Sequence, residues 1–327
     1  MGRPKKNAGG ETEHKGLLLL RKRGGISSFE ALYPVKKALG TGKAGHTGTL
    51  DKFAEGLLPV LIGRAVKLTP WFSGCDKTYE GLIRFGIETD TLDPEGSPVA
   101  EAAPPSLEAL EGVLPAFRGD LLQIPPAYSA LHIGGQRAYG LARSGIEPVL
   151  PERPVSIYQL ELLSYEVPLA RIRVRCSKGT YIRSLARDIA RAAGSRGHLV
   201  FLNRISVGGF DLSRAFEFPG DGEPSPEAVT GAIRPIDETV IEALGLPCIF
   251  IDHDGLSAMI RGKKPETYID EAKIRFPRKG DNRGGPVTGD AAKEDFAAGV
   301  FSPEGEFAGI LEKKAGHWAY GYVYARP

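Results

Sequence analysis

Apolar positions along the chain follow two rhythms, and together they divide it into strands and helices. The run GLLLL at 16–20 is short and continuous, which predicts a buried strand. Phe29, Leu32, Val35 and Leu39 then recur at helical spacing, on one predicted face. Ser27 with Glu30 three residues on has the form of a capping box, and Gly40 stands where a helix would end. Pro34 interrupts that pattern. After the glycine-rich stretch GTGKAGHTGTLD at 40–51 comes an apolar run, FAEGLLPVLIG, and then KTYEGLIRFG, which reads as a strand. TDTLDPEG at 89–96 is turn-rich, and SLEALEGVLPAF has helical periodicity. Residues 123–148 mix Pro, Gly and Tyr, as a long functional loop followed by a short helix would. SIYQLELLSYEV and LARIRVRCS alternate like strands, and YIRSLARDIARAAG is an amphipathic helix ending at Gly194.

The composition breaks at PGDGEPSP, 219–226. Beyond a short helical segment and CIFIDHD, the strand patterns FAAGVFS, EFAGILEKK and HWAYGYVYA follow, with a PEGE hairpin turn between the first two. Residues 245–327 therefore predict a small β-rich domain, within which PRKGDNRGGPVTGDAAK reads as a mobile loop. No internal repeat is visible. Composition changes little in this picture: 42% hydrophobic and 25% charged residues in 327 suit about two globular domains. Residues 1–14 are polar and basic, read as a disordered tail without the apolar stretch of a secretory signal. The LLLL run is too short to span a membrane. Cys75, Cys176 and Cys248 are scattered and give neither a disulfide framework nor paired zinc spacing, which fits a reducing cytoplasm.

GTGKAGHTGTLD concentrates glycine beside Lys43, His46 and Asp51. A phosphate-cradling loop would need lysine where His46 stands, and it would follow a strand and open a helix. Taken alone, the loop reads as turn punctuation, with Asp51 as N-cap of a following turn. The alternative is a nucleophilic carboxylate, which needs a cation to orient it. Asp90, Asp93 and Glu95 lack the alternate spacing of a calcium loop, so TDTLDPEG reads as a turn. Asp252-His253-Asp254 is too isolated for a metal site.

The formal net charge is only +2, yet residues 171–204 hold nine cationic side chains, among them Lys178, Arg183, Arg187 and Arg191, against one acid, Asp188. Arginines alternate with Ile172, Val174 and Cys176 along the strand, and Arg183, Arg187 and Arg191 recur every four residues along the helix. A solvated face is the ordinary meaning of such a run. Its one-sidedness on two successive elements points instead to a polyanion, with RNA the natural candidate.

Seven blocks carry a resemblance: GHTGTLD, LLPVLIG, KTYEGLIRFG, TDTLDPEG, QIPPAYSALHIGGQRAYGLARSGI, CSKGTYIRSLARDIA and HLVFLNRISVGGF. In this order and spacing the chain, from about 16 to 240, resembles the TruB family of tRNA pseudouridine-55 synthases. The remainder resembles, more loosely, the RNA-binding PUA-like domain. The resemblance implies an α+β catalytic fold over 15–240, a mixed, largely antiparallel sheet with flanking helices. It implies a PUA-like domain over 245–327. The implied reaction isomerises uridine 55 in the TΨC loop of tRNA after base flipping, without metal or cofactor, in a cytoplasmic monomer. Asp51 would be the nucleophile, at C6 or C1′. Tyr79 would stack on the base and accept the proton, and Arg183 would pair with Asp51. Tyr181 and Leu202 would line the uracil pocket, and His46 would fill the space vacated by the flipped nucleotides. Lys22 would contact substrate, while Lys178, Arg187 and Arg191 would face the RNA backbone. Four positions depart from the family pattern: Arg21 and Arg23 flank Lys22, Lys52 follows Asp51 where proline is frequent, and Asn203 replaces a frequent arginine. A tRNA-holding module without chemistry is the competing class.

Overall fold

The computed structural model describes residues 14–129, 132–133, 136–137, 150–219, 223–277 and 295–325. The tail at 1–13, the short helix expected at the end of 123–148 and most of the loop at 277–293 lie outside them.

In chain order the first elements are β1 (Gly16–Lys22), α1 (Leu32–Ala38), β2 (Ala44–His46), β3 (Glu55–Ile62), α2 (Thr69–Ser73) and β4 (Lys77–Phe85). Next come β5 (Ile87–Thr89), β6 (Pro98–Glu101), α3 (Leu107–Val113), β7 (Gly119–Gln123), β8 (His132–Ile133) and β9 (Gln136–Arg137). The long hairpin β10 (Arg153–Glu166) and β11 (Leu169–Cys176) leads into α4 (Ile182–Ala192), β12 (Gly197–Val207) and β13 (Phe210–Asp211). Then follow α5 (Pro226–Ala232), α6 (Glu238–Ala243), β14 (Cys248–Phe250), α7 (His253–Ile260), β15 (Phe296–Phe301), β16 (Phe307–Lys314) and β17 (His317–Val323).

The large sheet runs β1-β3-β12-β4-β11-β10-β7, with β2 on β3 and β13 on β12. Its pairings are antiparallel except the short parallel contact of β12 with β3. The fold is thus α+β with a mixed, largely antiparallel sheet. Residues of β4 and β11 alternate as their sequences predict: Tyr79, Ile83 and Phe85, and Ile172, Val174 and Cys176, are buried. The helix α4 lays Leu185, Ala186, Ile189 and Ala190 on this core. The central strand β12 escaped the sequence reading, because a strand covered on both faces has no polar alternation to reveal it.

Two glycines permit close approaches that matter below. A Cβ on Gly56 (φ +110) would sit 2.5 Å from the Arg204 carbonyl, so only glycine lets β3 press on β12 there. At Gly40 (φ +59) the chain leaves α1 in the left-handed region, as the C-cap reading requires.

A second sheet, β14-β15-β16-β17, holds the C-terminal strands. The PEGE segment closes the β15–β16 hairpin through Gly305 (φ +80). This sheet shares a core with the first: Phe301, Phe307, Ile310 and Tyr324 pack with Leu17, Leu61, Phe72 and Ile241. The Tyr322 hydroxyl donates to the Arg64 carbonyl at 3.2 Å.

Three local expectations need correction. The capping box forms, with Ser27 N–H on Glu30 Oε2 at 2.7 Å and Glu30 N–H on Ser27 Oγ at 3.2 Å, but it closes a turn before α1. As a result Phe29 lies outside the helix and is 73% exposed, although Leu32 and Val35 are buried as predicted. Pro34 is tolerated because it occupies the first turn of α1, where no intrahelical partner for its nitrogen exists. Asp51 caps no helix, since the chain passes from it into β3.

Candidate active site

The loop 47–51 leaves β2 and runs along a cleft across the large sheet. Buried cations fix its path. Arg204, on β12 and 1% exposed, donates to the carbonyls of Leu57 at 2.8 Å, Gly48 at 3.1 Å and Thr49 at 3.5 Å. Ser28 grips the residue before the aspartate: its Oγ donates to the Leu50 carbonyl at 3.0 Å and accepts from the Leu50 N–H at 2.8 Å. Lys22, also 1% exposed, donates to the carbonyls of Ala54 at 2.6 Å, Arg23 at 2.9 Å and Lys52 at 3.3 Å. The ammonium thus spends its donors on backbone, one of them in the cavity-lining Lys52, while Lys22 itself is not among the residues that line the cavity. Burial, the first cause, lowers the Lys22 pKa to about 8.

So held, Asp51 meets Arg183 from the first turn of α4. Arg183 Nε lies 2.9 Å from Asp51 Oδ2, and Nη2 donates to Oδ1 at 3.2 Å. The same guanidinium reaches a second acid: Nη1 donates to Asp93 Oδ2 at 3.0 Å and to the Thr91 carbonyl at 2.8 Å. Nη2 also donates to the Tyr128 carbonyl at 3.0 Å. Asp93 Oδ1 in turn accepts from the Thr91 hydroxyl at 2.6 Å and the Glu95 N–H at 3.0 Å. TDTLDPEG is thus a turn, as read, but its Asp93 was missed as a partner of the site. Only its position in the loop, with no distinctive pattern, would have marked it. Asp90 and Glu95 are engaged elsewhere, on the Ser97 N–H at 2.9 Å and on Lys52 at 3.9 Å.

A cavity of about 1130 Å³ opens over this pair, lined by Asp51, Tyr79, Tyr181, Arg183, Leu202 and Arg204 among others. The side chain of Gln123 positions Tyr181 by clasping its backbone at 2.8 and 3.1 Å. His46 stands on β2 opposite Val60, outside that lining, with Nδ1 buried and unpartnered among the described residues. Burial lowers its pKa, helped by Arg204 and Lys36, so the imidazole is neutral at neutral pH.

The Asp51 side chain remains 37% exposed to the cleft while Arg183 is 5% exposed. Loss of water on its protein side raises the Asp51 pKa, and Arg183 works against that rise. Burial also raises the Tyr79 phenol, with the Arg204 guanidinium acting in the opposite direction. Arg183 thus favours the ionised carboxylate against the burial that raises its pKa, with two aromatic rings and Leu202 lining the cavity beside it.

The basic face is not the unpaired array that counting along the segment suggests. Arg173 bonds Glu80 on the neighbouring strand at 2.7 Å, Arg171 lies 3.9 Å from the same carboxylate, and Arg175 lies 3.3 Å from Asp76. Arg191 holds Glu88 at 2.5 Å, and Arg187 holds Asp188 at 2.8 Å and the Ile124 carbonyl at 3.2 Å. Glu80 on β4, Asp76 just before it and Glu88 on β5 are set beside β11 and α4 by the fold, whereas Asp188 neighbours Arg187 in sequence. Lys178 is exposed and has no partner among the described residues.

A single cleft with one carboxylate clamped by a shared arginine, walled by tyrosines on a mixed sheet, defines an enzyme site rather than a simple docking surface. The profile of the TruB family pseudouridylate synthases (N-terminal domain) matches residues 36–182. The tRNA pseudouridine synthase B of Francisella tularensis subsp. novicida (strain U112) is 45% identical over 230 residues, 69% of this chain and 76% of that protein. The protein of the same name from Francisella philomiragia subsp. philomiragia is 44% identical over an equal span. Among solved structures, a Cbf5–Nop10–Gar1 complex superposes with a TM-score of 0.68 at 21% identity, over 95% of this chain and 85% of that one. An H/ACA ribonucleoprotein bound to a substrate RNA containing 2′-deoxyuridine gives 0.65 at 19% identity, over 95% and 85%. These two agree in fold. The chain belongs to the TruB family and is a pseudouridine synthase, an isomerase.

Among the described residues no helix is long and apolar enough to cross a membrane, and no group of three or more His, Cys, Asp or Glu side chains is arranged to hold a metal.

Proposed function

We propose that this chain isomerises uridine 55 in the TΨC loop of tRNA, with Asp51 as nucleophile. The observation that carries the proposal is the Asp51–Arg183 pair at the floor of a cleft that also exposes Tyr79, Tyr181 and Leu202. The relatives' name supplies tRNA as the substrate class. The reaction breaks the N1–C1′ bond and forms C5–C1′; the C5 proton leaves and N1 gains one, so nothing is oxidised or reduced. Asp51 attacks C6 or C1′, and either route requires its ionised form, which Arg183 favours. Tyr79 stacks on the uracil. Its raised pKa makes it a neutral phenol at rest, so it takes the C5 proton only after giving its own hydroxyl proton to uracil N1, the atom that ends protonated. The pocket contacts repay the few kcal/mol, roughly, that unstacking the base costs. Residues 15–240 perform the chemistry, and 245–327 act as a PUA-like RNA-binding unit. The chain works as a cytoplasmic monomer. His46 fills the gap left by the flipped nucleotides, and Lys178 faces the RNA backbone.

The test is tritium release from tRNA labelled at C5 of uridine. Unmodified tRNA should release label, tRNA with cytidine at position 55 should release none, and Asp51→Asn should bind tRNA without releasing label. Parental release by Asp51→Asn would overturn the nucleophile, and release from the position-55 variant would overturn the site.

A further inference from the structure

Phe29 and Tyr33 are 73% and 64% exposed, the highest values of any aromatic side chains among the described residues. Phe29 stands in the turn that leads into α1 and Tyr33 in the first turn of α1. The opposite face of α1 is complete without them: Leu32, Val35 and Leu39 are buried in the core with Leu18, Val60 and Ile62. Two large rings in water therefore contribute nothing to folding.

Their surroundings are specific. The Lys36 ammonium lies 5.6 Å over the Phe29 ring. Lys37, by contrast, is neutralised by Glu223 at 2.5 Å. Lys43, at the end of the same helix–loop segment, is exposed with no side-chain partner among the described residues. The segment also adjoins the cleft along the chain. Ser27, two residues before Phe29, lines the cavity, and Ser28, adjacent to Phe29, holds the residue before Asp51.

We propose that the Phe29–Tyr33 face is a stacking platform for an unpaired base of the substrate RNA other than the target uridine, with Lys36 and Lys43 on the flanking phosphates. Exposed rings and lysines without carboxylate partners among the described residues, on a segment that begins at the cavity-lining Ser27, fit this occupant, because every base offers a π-face and every nucleotide brings a phosphate. This inference rests on the chain acting on RNA.

The experiment measures the dissociation constant of unmodified full-length tRNA for the full chain and for Phe29→Ser/Tyr33→Ser, at fixed salt. Loss of the base stack should weaken binding about tenfold. Phe29→Tyr/Tyr33→Phe, which keeps both rings, should stay within about twofold, and the thermal midpoint of the serine variant should match the parent, which separates lost contact from misfolding. The fluorescence of Phe29→Trp should be quenched by tRNA beyond any change in the parent. Equal affinities of parent and serine variant, no added quenching, or a dimer in the parent that the serine variant abolishes would each overturn the proposal. A parent that neither binds tRNA nor releases tritium would instead refute the underlying function.

Discussion

Replacing Arg183 with Met keeps an unbranched stem and deletes the guanidinium. Its contacts to Asp51, Asp93, Thr91 and Tyr128 vanish, and two carboxylates remain with no cation between them. The magnitude follows from exposure. Asp93 is 8% exposed, and removing one partner of a buried ion pair costs about 3–5 kcal/mol. Asp51 is 37% exposed and screened by water, so its share is about 0–1 kcal/mol. The expected deficit at neutral pH is therefore about 3–6 kcal/mol. Its pH dependence has a definite sign. The folded-state pKa of Asp51 is raised already, and it rises further without Arg183. A carboxyl with a raised folded pKa stabilises the fold below the unfolded-chain value and loses that contribution as pH climbs through the folded value. The variant should thus lie nearest the parent in acid and furthest from it at neutral pH. Urea unfolding at pH 5 and pH 8 reads the difference. Tritium release at neutral pH should fall at least ~100-fold, because the carboxylate loses both its charge partner and its aim. A deficit equal at both pH values would show that packing, not charge, was lost, and near-parental release would refute the clamp itself.

Two other perturbations test the supports of the site. Lys22 has a pKa lowered from 10.5 to about 8, so the folded chain binds fewer protons than the unfolded one in that window and stability should rise with pH across it, by up to roughly 3 kcal/mol. Lys22→Met should abolish that rise, and parallel stability curves for parent and variant between these values would contradict the burial argument. On the RNA side, Lys178→Ala should lower the salt slope of tRNA binding by about one, whereas Arg191→Ala, whose charge is already matched by Glu88, should change it little. A larger slope change for Arg191 than for Lys178 would show that the Glu88 pair opens on the RNA.

Much of the site was legible before any coordinates. The blocks GHTGTLD, KTY and GTYIR marked Asp51, Tyr79 and Arg183, and all three line one cavity. Alternation in LARIRVRCS placed the buried side of β11 correctly, since period two survives whenever one face of a strand is covered more than the other. What failed did so for a common reason. The N-cap role of Asp51 and the unpaired basic face were both inferred from sequence neighbours. Their real partners are Arg183, and Glu80 with Glu88, each reached across strands or loops.

The sequence alone thus determined the periodic elements, the glycines at positive φ and the types of side chain available for chemistry, because these depend on residues a few positions apart. Tertiary structure decided which charges meet. It put Arg204 under the Gly48–Thr49 turn through a β3–β12 contact that only Gly56 allows. It gave Arg183 two carboxylates instead of one and gave most of the basic segment its counter-acids. It also left Phe29 in water where the helical pattern had placed it inside. Electrostatic and stacking partners act through space over a few ångströms, and in a mixed sheet those few ångströms separate residues that lie far apart along the chain.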